Sequence, residues 1–191
     1  MRFQKSQPIH KAASKDAGRY SIHCVYLDPD PSNGRLVATN GRILAVIPCD
    51  AESNESGIIP LEAMELACKG SKKTFPAGHI EMGSAETVEV VSPTARSTFE
   101  RPDVEFPNWR AVVPNPTDYP LSLTLNPFLL QKLAAALGQT ASNCEGVTLH
   151  LRIDPSTPAG IQRLDDSSPV RVTLPKDSDS FGVIMPIEEV K

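Results

Sequence analysis

The stretch Val37-Ala38-Thr39-Asn40-Gly41-Arg42-Ile43-Leu44-Ala45, read with the run Val183-Ile184-Met185-Pro186-Ile187, decides how this 191-residue chain is understood. The first stretch predicts a strand, a reversal and a second strand. A two-residue Asn-Gly loop needs positive φ at both positions, and these two residue types tolerate it. Working outward, Ile22 to Leu27, Arg35 to Thr39 and Arg42 to Ile47 form a predicted meander. Asn33-Gly34 and Asn40-Gly41 are its reversals.

Three segments predict short helices with proline near the start: Gln7-Pro8 to Lys15, Pro60 to Lys69, and Asn126-Pro127 to Leu137. Proline suits the first helical turn, where its missing N–H would be unpaired anyway. The third has Asn126 as N-cap, Leu129, Leu130, Leu133 and Leu137 as an apolar stripe, and Gly138 as a stop. In the second, Leu61, Met64 and Leu66 face inward and Gly70 ends the helix. Strands are predicted before each helix, at Arg2 to Gln4, Gly57 to Ile59 and Leu121 to Leu125. After the second helix come His79 to Met82, Thr87 to Val91 and Ser97 to Glu100. After the third come Val147 to Ile153, Ile161 to Leu164, Val170 to Leu174 and Gly182 to Ile187. The order of strand, helix and several strands therefore recurs three times, and no single unit buries both faces of its sheet alone. The proline-rich stretch Val112 to Pro120 is the natural boundary.

No run approaches the roughly 20 apolar residues of a membrane span, and Met1-Arg2-Phe3-Gln4-Lys5 lacks an apolar signal core, which predicts a cytoplasmic protein. Cys24, Cys49, Cys68 and Cys144 are widely spaced with no C-x-x-C pair, so they read as small buried hydrophobes rather than disulfides or zinc ligands. The net charge is −4, yet positive charge gathers locally. Residues 1–20 carry Arg2, Lys5, Lys11, Lys15 and Arg19 against Asp16, and residues 61–75 carry Lys69, Lys72 and Lys73 against Glu62 and Glu65. Such clusters are either solvated helix faces or surfaces offered to phosphate. The phosphate-loop, zinc-protease, nucleophile-elbow and dinucleotide signatures are missing. The histidines His10, His23, His79 and His150 are scattered, and Asp165-Asp166 reads as a solvated turn rather than an acid–base pair. The chain is therefore not expected to be an enzyme, and no cofactor or metal is implied.

Five stretches, in the family's order, resemble the bacterial DNA polymerase III β sliding clamp family. The Ala38-to-Ala45 turn resembles its Ala-Thr-Asp-Gly-x-x-Leu-Ala turn, and Gly57 to Met64 is similar to its Ile-Ile-Pro helix entry. Glu105-Phe106-Pro107-Asn108-Trp109-Arg110-Ala111-Val112-Val113-Pro114 resembles the linker between its second and third domains. The Met185-Pro186-Ile187 run resembles its terminal strand, and Asn126 to Leu137 is similar to a third-domain helix. Departures are Asn40 in place of the family Asp, Arg42-Ile43 in place of His-Arg, and a tail continuing through Glu188-Glu189-Val190-Lys191. The chain is also about half the usual length.

The resemblance implies an α+β DNA-clamp fold of repeated strand-helix-strands half-domains, with helices on one face of antiparallel sheets. It divides the chain into a complete two-helix domain over 1–114, a linker over 115–119 and a single-helix half-domain over 120–191. It implies a sliding clamp, a processivity factor that encircles double-stranded DNA without reading sequence. Polymerase and clamp loader would be held through short hydrophobic peptides. The implied peptide-binding residues are Thr39, Gly41, Arg42, Leu44, Pro107, Val112, Val183, Met185, Pro186 and Ile187. The plain alternative is that Leu44, Val112 and Val183 are simply core. The implied DNA-facing residues are Lys11, Lys15 and Arg19 on the first helix, Lys69, Lys72 and Lys73 at the end of the second, and Lys132 on the third. Clamps of this superfamily close from twelve half-domains, so three per chain predicts a head-to-tail homotetramer acting at the nucleoid. The rival reading is a non-ring interaction or decoy protein that presents the peptide site without encircling DNA.

Overall fold

Alternation of apolar and polar residues in short β-rich segments, broken by proline and glycine, builds antiparallel sheets rather than a helical bundle. The computed structural model describes residues 1–4, 7–29, 34–51, 56–69, 77–83, 86–92, 95–113, 123–140, 146–152, 168–175 and 177–187. They fall into two units, Met1–Val113 and Pro114–Lys191.

In the first unit the strands are β1 (Arg2–Gln4), β2 (Cys24–Asp28), β3 (Gly34–Thr39), β4 (Leu44–Cys49), β5 (Gly57–Pro60), β6 (Ala77–Met82), β7 (Thr87–Val91) and β8 (Arg96–Glu100). They form two four-stranded sheets in the orders β1-β6-β7-β8 and β4-β3-β2-β5. Each order is the other shifted by four strands, so the unit is an internal repeat of two halves. Each half lends its first strand to the other. β1 pairs with β6 and β5 with β2, both antiparallel. The free side of β1 also touches its own half just past β4, where Arg2 and Asp50 exchange N–H···O bonds of 2.7 and 2.9 Å.

Helix α1 (Leu61–Cys68) packs against strands of both sheets, β6 and β7 of one and β2 and β5 of the other. Leu61, Ala63, Met64 and Ala67 are its buried face, in one core with Phe3, Val25, Leu36, Ile80 and Val88. Burial of each large side chain in that list stabilises by roughly 1.5–3 kcal/mol relative to exposure. Leu66, predicted inward, only borders this core.

The predicted first helix is a correction. Only Ile9–Ala12 is helical, as one 3-10 turn, and Ala13 is already extended at ψ 157°. Side chains beyond it compete for the backbone. Ser14 Oγ accepts the Asp16 N–H and Asp16 Oδ1 accepts the Gly18 N–H. The Ser14 N–H is drawn instead to the carbonyls of Ile22 and Thr39. A second 3-10 turn, Tyr20–Ile22, delays β2 to Cys24.

The Asn-Gly reversal is a second correction. Thr39 faces Leu44 in the register, leaving residues 40–43 as the loop. Gly41 has φ +84° while no described non-glycine residue has positive φ. Asn40 acts through its side chain: Oδ1 accepts the N–H of Arg42 at 2.9 Å and of Ile43 at 3.0 Å. The other predicted reversal, at Asn33, lies outside the described residues.

His10 sits on the first 3-10 turn with Nδ1 buried and without a hydrogen-bond partner. Burial lowers its pKa below the ordinary 6.5, Glu65 opposes that, and Lys11 adds to it. The folded state thus resists a proton that the unfolded chain accepts. This contribution to stability is present above the unfolded pKa and is lost as pH falls through it. Melting curves from about pH 7.5 to about 5.5 should show a declining midpoint, and His10→Gln should make that decline shallower. Identical pH profiles for the two proteins would refute the assignment.

The second unit holds α2 (Pro127–Ala136), β9 (Thr148–His150), β10 (Val170–Leu174) and β11 (Asp177–Ile184), the sheet running β11-β10-β9. The predicted cap is present: Asn126 Oδ1 accepts from Phe128 and Leu129 N–H at 3.0 and 3.3 Å. Its small core joins Val170, Val172 and Ile184 to Leu125, Leu130, Leu133 and Leu137. Gly182 permits that contact, because a Cβ there would collide with Leu133. Leu129, predicted on the same stripe, is half exposed. The predicted strand at Ile161 to Leu164, the Asp165-Asp166 turn, Cys144 and the tail from Glu188 lie outside the described residues.

Candidate functional site

Each predicted peptide-binding residue sits on one of three surfaces. The first is the β3–β4 turn. Thr39 Oγ1 donates to Ile43 O at 2.6 Å and accepts the Gly41 N–H at 3.0 Å, which locks the loop shape. Gly41 and Arg42 are exposed, and Leu44 is half-buried against a small outer cluster. Arg19, expected on a helix facing DNA, lies here instead. Its guanidinium reaches Asn40 O at 3.4 Å, with Asp16 3.8 Å away.

The second surface is the segment after β8. It crosses the outer face of the β4-β3-β2-β5 sheet and is pinned at two places. Phe106 stacks on Tyr26 with ring centroids 5.2 Å apart. Trp109, on a 3-10 turn at Trp109–Val112, donates its indole N–H to Asp28 Oδ2 at 2.7 Å, and Arg110 meets the same oxygen at 2.6 Å. The Arg110 guanidinium also lies 4.7 Å over the Trp109 ring. Burial, and secondarily Asp28, raises the Tyr26 pKa, against a lowering by Arg110. Sequence reasoning missed Asp28. No local signal marks a carboxylate at a strand end whose partner is 81 residues away. Pinned this way, the segment leaves Pro107 and Val112 in solvent, Val112 at 70% exposure. An open cleft of about 880 Å³ lies beside it, lined in part by Ile58, Arg101, Val104 and Phe106.

The third surface belongs to the second unit. Residues at alternate positions of a strand share a face, and on β11 and its continuation these are Phe181, Val183, Met185 and Ile187. They are 56, 54, 56 and 47% exposed. Pro186 is half-buried. The plain-core reading of Val112 and Val183 fails on these exposures; that of Leu44 holds in part. The turn and segment lie in one unit and the tail in the other.

Of the predicted DNA-facing residues, Lys11 is exposed on the 3-10 turn, which packs against α1, and Lys69 is exposed just past that helix. Lys15 is exposed beyond the turn and Lys132 is exposed on α2. Lys72 and Lys73 lie outside the described residues. Cys24 and Cys49 are buried, and burial pushes the Cys24 thiol up to about 11, so it is no nucleophile at neutral pH. Among the described residues no group of three or more His, Cys, Asp or Glu could hold a metal ion, and no helix is long and apolar enough to cross a membrane.

No protein-family model matches the sequence, and no curated protein matches it. Solved structures do. A sliding clamp from Bartonella birtlesii, bound to griselimycin, superposes with a TM-score of 0.63 at 18% identity, over 99% of this chain and 51% of that one. The DNA polymerase sliding clamp from Bacillus subtilis gives 0.62 at 13% identity, over 97% and 48%. The DNA polymerase III β subunit from Thermotoga maritima gives 0.55 at 16%, over 98% and 65%. At such identities the likeness is one of fold: this chain has a β-clamp-like α+β fold and spans about half to two thirds of the length of those clamps.

Proposed function

We propose that this chain is a DNA sliding clamp or clamp-like processivity factor, without catalysis of its own, that works on cytoplasmic, nucleoid-associated DNA. The observation that carries the reading is the β-clamp-like fold over nearly the whole chain. In this reading residues 1–114 are a complete domain of two halves, 115–119 a linker and 120–191 one further half. Four copies would supply the twelve halves of a ring. Exposed Lys11, Lys15, Lys69 and Lys132, with Lys72 and Lys73, would hold duplex phosphate loosely enough to slide. Arg19, exposed beside the β3–β4 turn, completes that set. The turn, Pro107, Val112 and the apolar tail would take short hydrophobic peptides from polymerase and loader.

A second reading, a non-ring interaction or decoy protein, is favoured by one observation: a single 3-10 turn stands where the first lumen helix was expected. The test is retention on nicked circular DNA after loading, compared with the same DNA linearised. A clamp stays on the circle and runs off the ends. Lys11→Glu with Lys15→Glu should lower retention by at least about tenfold at low salt and change sequence preference little. Equal retention on both DNA forms, or none on either with peptide binding intact, would favour the second reading.

A further inference from the structure

The first unit shows how a half-domain of this fold is completed, and the second unit is a half-domain. In the first unit the 3-10 turn of one half and the helix of the other are each followed by a three-strand meander whose leading strand takes, on its outer edge, the strand that precedes the turn or helix of the other half. β6 receives β1, and β2 receives β5. In the second unit α2 is followed by the meander β9-β10-β11, and β9, its leading strand, pairs only with β10 among the described residues. The segment 123–125 stands before α2 as β1 and β5 stand before their turn and helix. Thr124 O accepts the Ile187 N–H at 2.8 Å, just past β11, as Arg2 meets Asp50 just past β4.

Side chains around that edge are bare where the first unit covers them. Leu149 lies opposite Val172 and so shares its core face, as does Leu151 two residues on. Val172 is fully buried, whereas Leu149 and Leu151 are 36 and 43% exposed. α2 has no buried residue. Counted from the first helical residue, Leu129 stands where α1 has Ala63. Ala63 is fully buried; Leu129 is 50% and neighbouring Phe128 72% exposed.

We propose that the C-terminal unit is completed by the C-terminal unit of a second copy of this chain. Residues 123–125 of each copy pair antiparallel with the outer edge of β9 of the other. A second copy is the occupant because of how the strands are used. β1 and β5 already sit inside the first unit, and among the described residues 123–125 is the one pre-helix segment in none of the three sheets. A neighbour's first unit therefore has no such strand to give. The contact is two-fold and self-complementary, with Phe128 and Leu129 of the two α2 helices covered in it. A four-copy ring would then be a pair of such dimers rather than a head-to-tail cycle. The pairing needs neither DNA nor ring closure.

The register follows β5 and β2. Ile58, three residues before Leu61, faces Tyr26, the third residue of β2. Thr124, three residues before Pro127, should face His150, the third residue of β9. Facing Cα atoms lie about 4.5–5.5 Å apart, which suits a disulfide. The full chain with Cys144→Ser, Thr124→Cys and His150→Cys should oxidise to a covalent dimer. Neither single cysteine should do so alone, but the two single variants mixed should. Phe128→Glu should weaken association by at least about tenfold and leave the circular-dichroism spectrum unchanged. A monomer at micromolar concentration, a 124–150 link within one chain, or an oligomer indifferent to Phe128→Glu with no such link would overturn the pairing. An oligomer of the last kind that is still retained on circular DNA leaves the clamp reading standing, so the two fail separately.

Discussion

Asp28→Ala lowers the stability of the first unit by about 2–3 kcal/mol, nearly all from the indole N–H of Trp109 left buried without an acceptor. The carboxylate is 4% exposed and receives Trp109 at 2.7 Å. Its second partner, Arg110, is 56% exposed and returns to water when the carboxylate is removed. That pair adds little to the loss. Asp28→Asn keeps an acceptor for the indole and should cost about half as much. The readout is direct, because Trp109 is the single tryptophan of the chain. Its emission should shift to the red in Asp28→Ala well below the global melting temperature, as the segment that carries Pro107 and Val112 lifts from β2. Unchanged emission together with an unchanged midpoint would show that Tyr26 and Phe106 hold the segment unaided.

Local signals carried much of the fold. Thr87–Val91 and Val170–Leu174 are strands with the expected bounds, because alternation and β-branched residues set both their face and their ends. Asn126 and Pro127 start α2 as predicted, since an N-cap acts within one turn. What sequence did not disclose is non-local. Nothing in Arg2–Gln4 or Gly57–Pro60 says that each pairs with the opposite half; that follows from the packing of two sheets about one core. The first helix fails because Ser14 and Asp16 bind the nearby backbone while the Ser14 N–H is claimed by carbonyls of other segments. Among site residues, the outward alternation of Val183, Met185 and Ile187 was readable once the strand was placed. Arg19 lies beside the β3–β4 turn rather than on a helix because the chain is already extended at Ala13.

Met185→Glu combined with Ile187→Asp should lower affinity for a labelled peptide with Leu and Phe anchors at least about tenfold from a micromolar-range starting value. Both side chains are about half exposed beyond the end of β11, so the change should alter stability by no more than about 0.5 kcal/mol. Substitution is a cleaner probe than truncation from residue 183. Ile184 is 5% exposed in the small core of the second unit and pairs with Val170. Deleting it would unfold the sheet that presents the stripe. The apolar face Phe181, Val183, Met185 and Ile187 offers adjacent contacts for large anchors, with the methionine adapting to their shape. A charge at two of four positions leaves a buried carboxylate against any apolar peptide, a cost that partial exposure in the free protein does not offset. Undiminished peptide binding by the folded double variant would remove the tail from the peptide site. If its oligomeric state changed at the same time, the stripe would instead be a surface where copies of the chain meet.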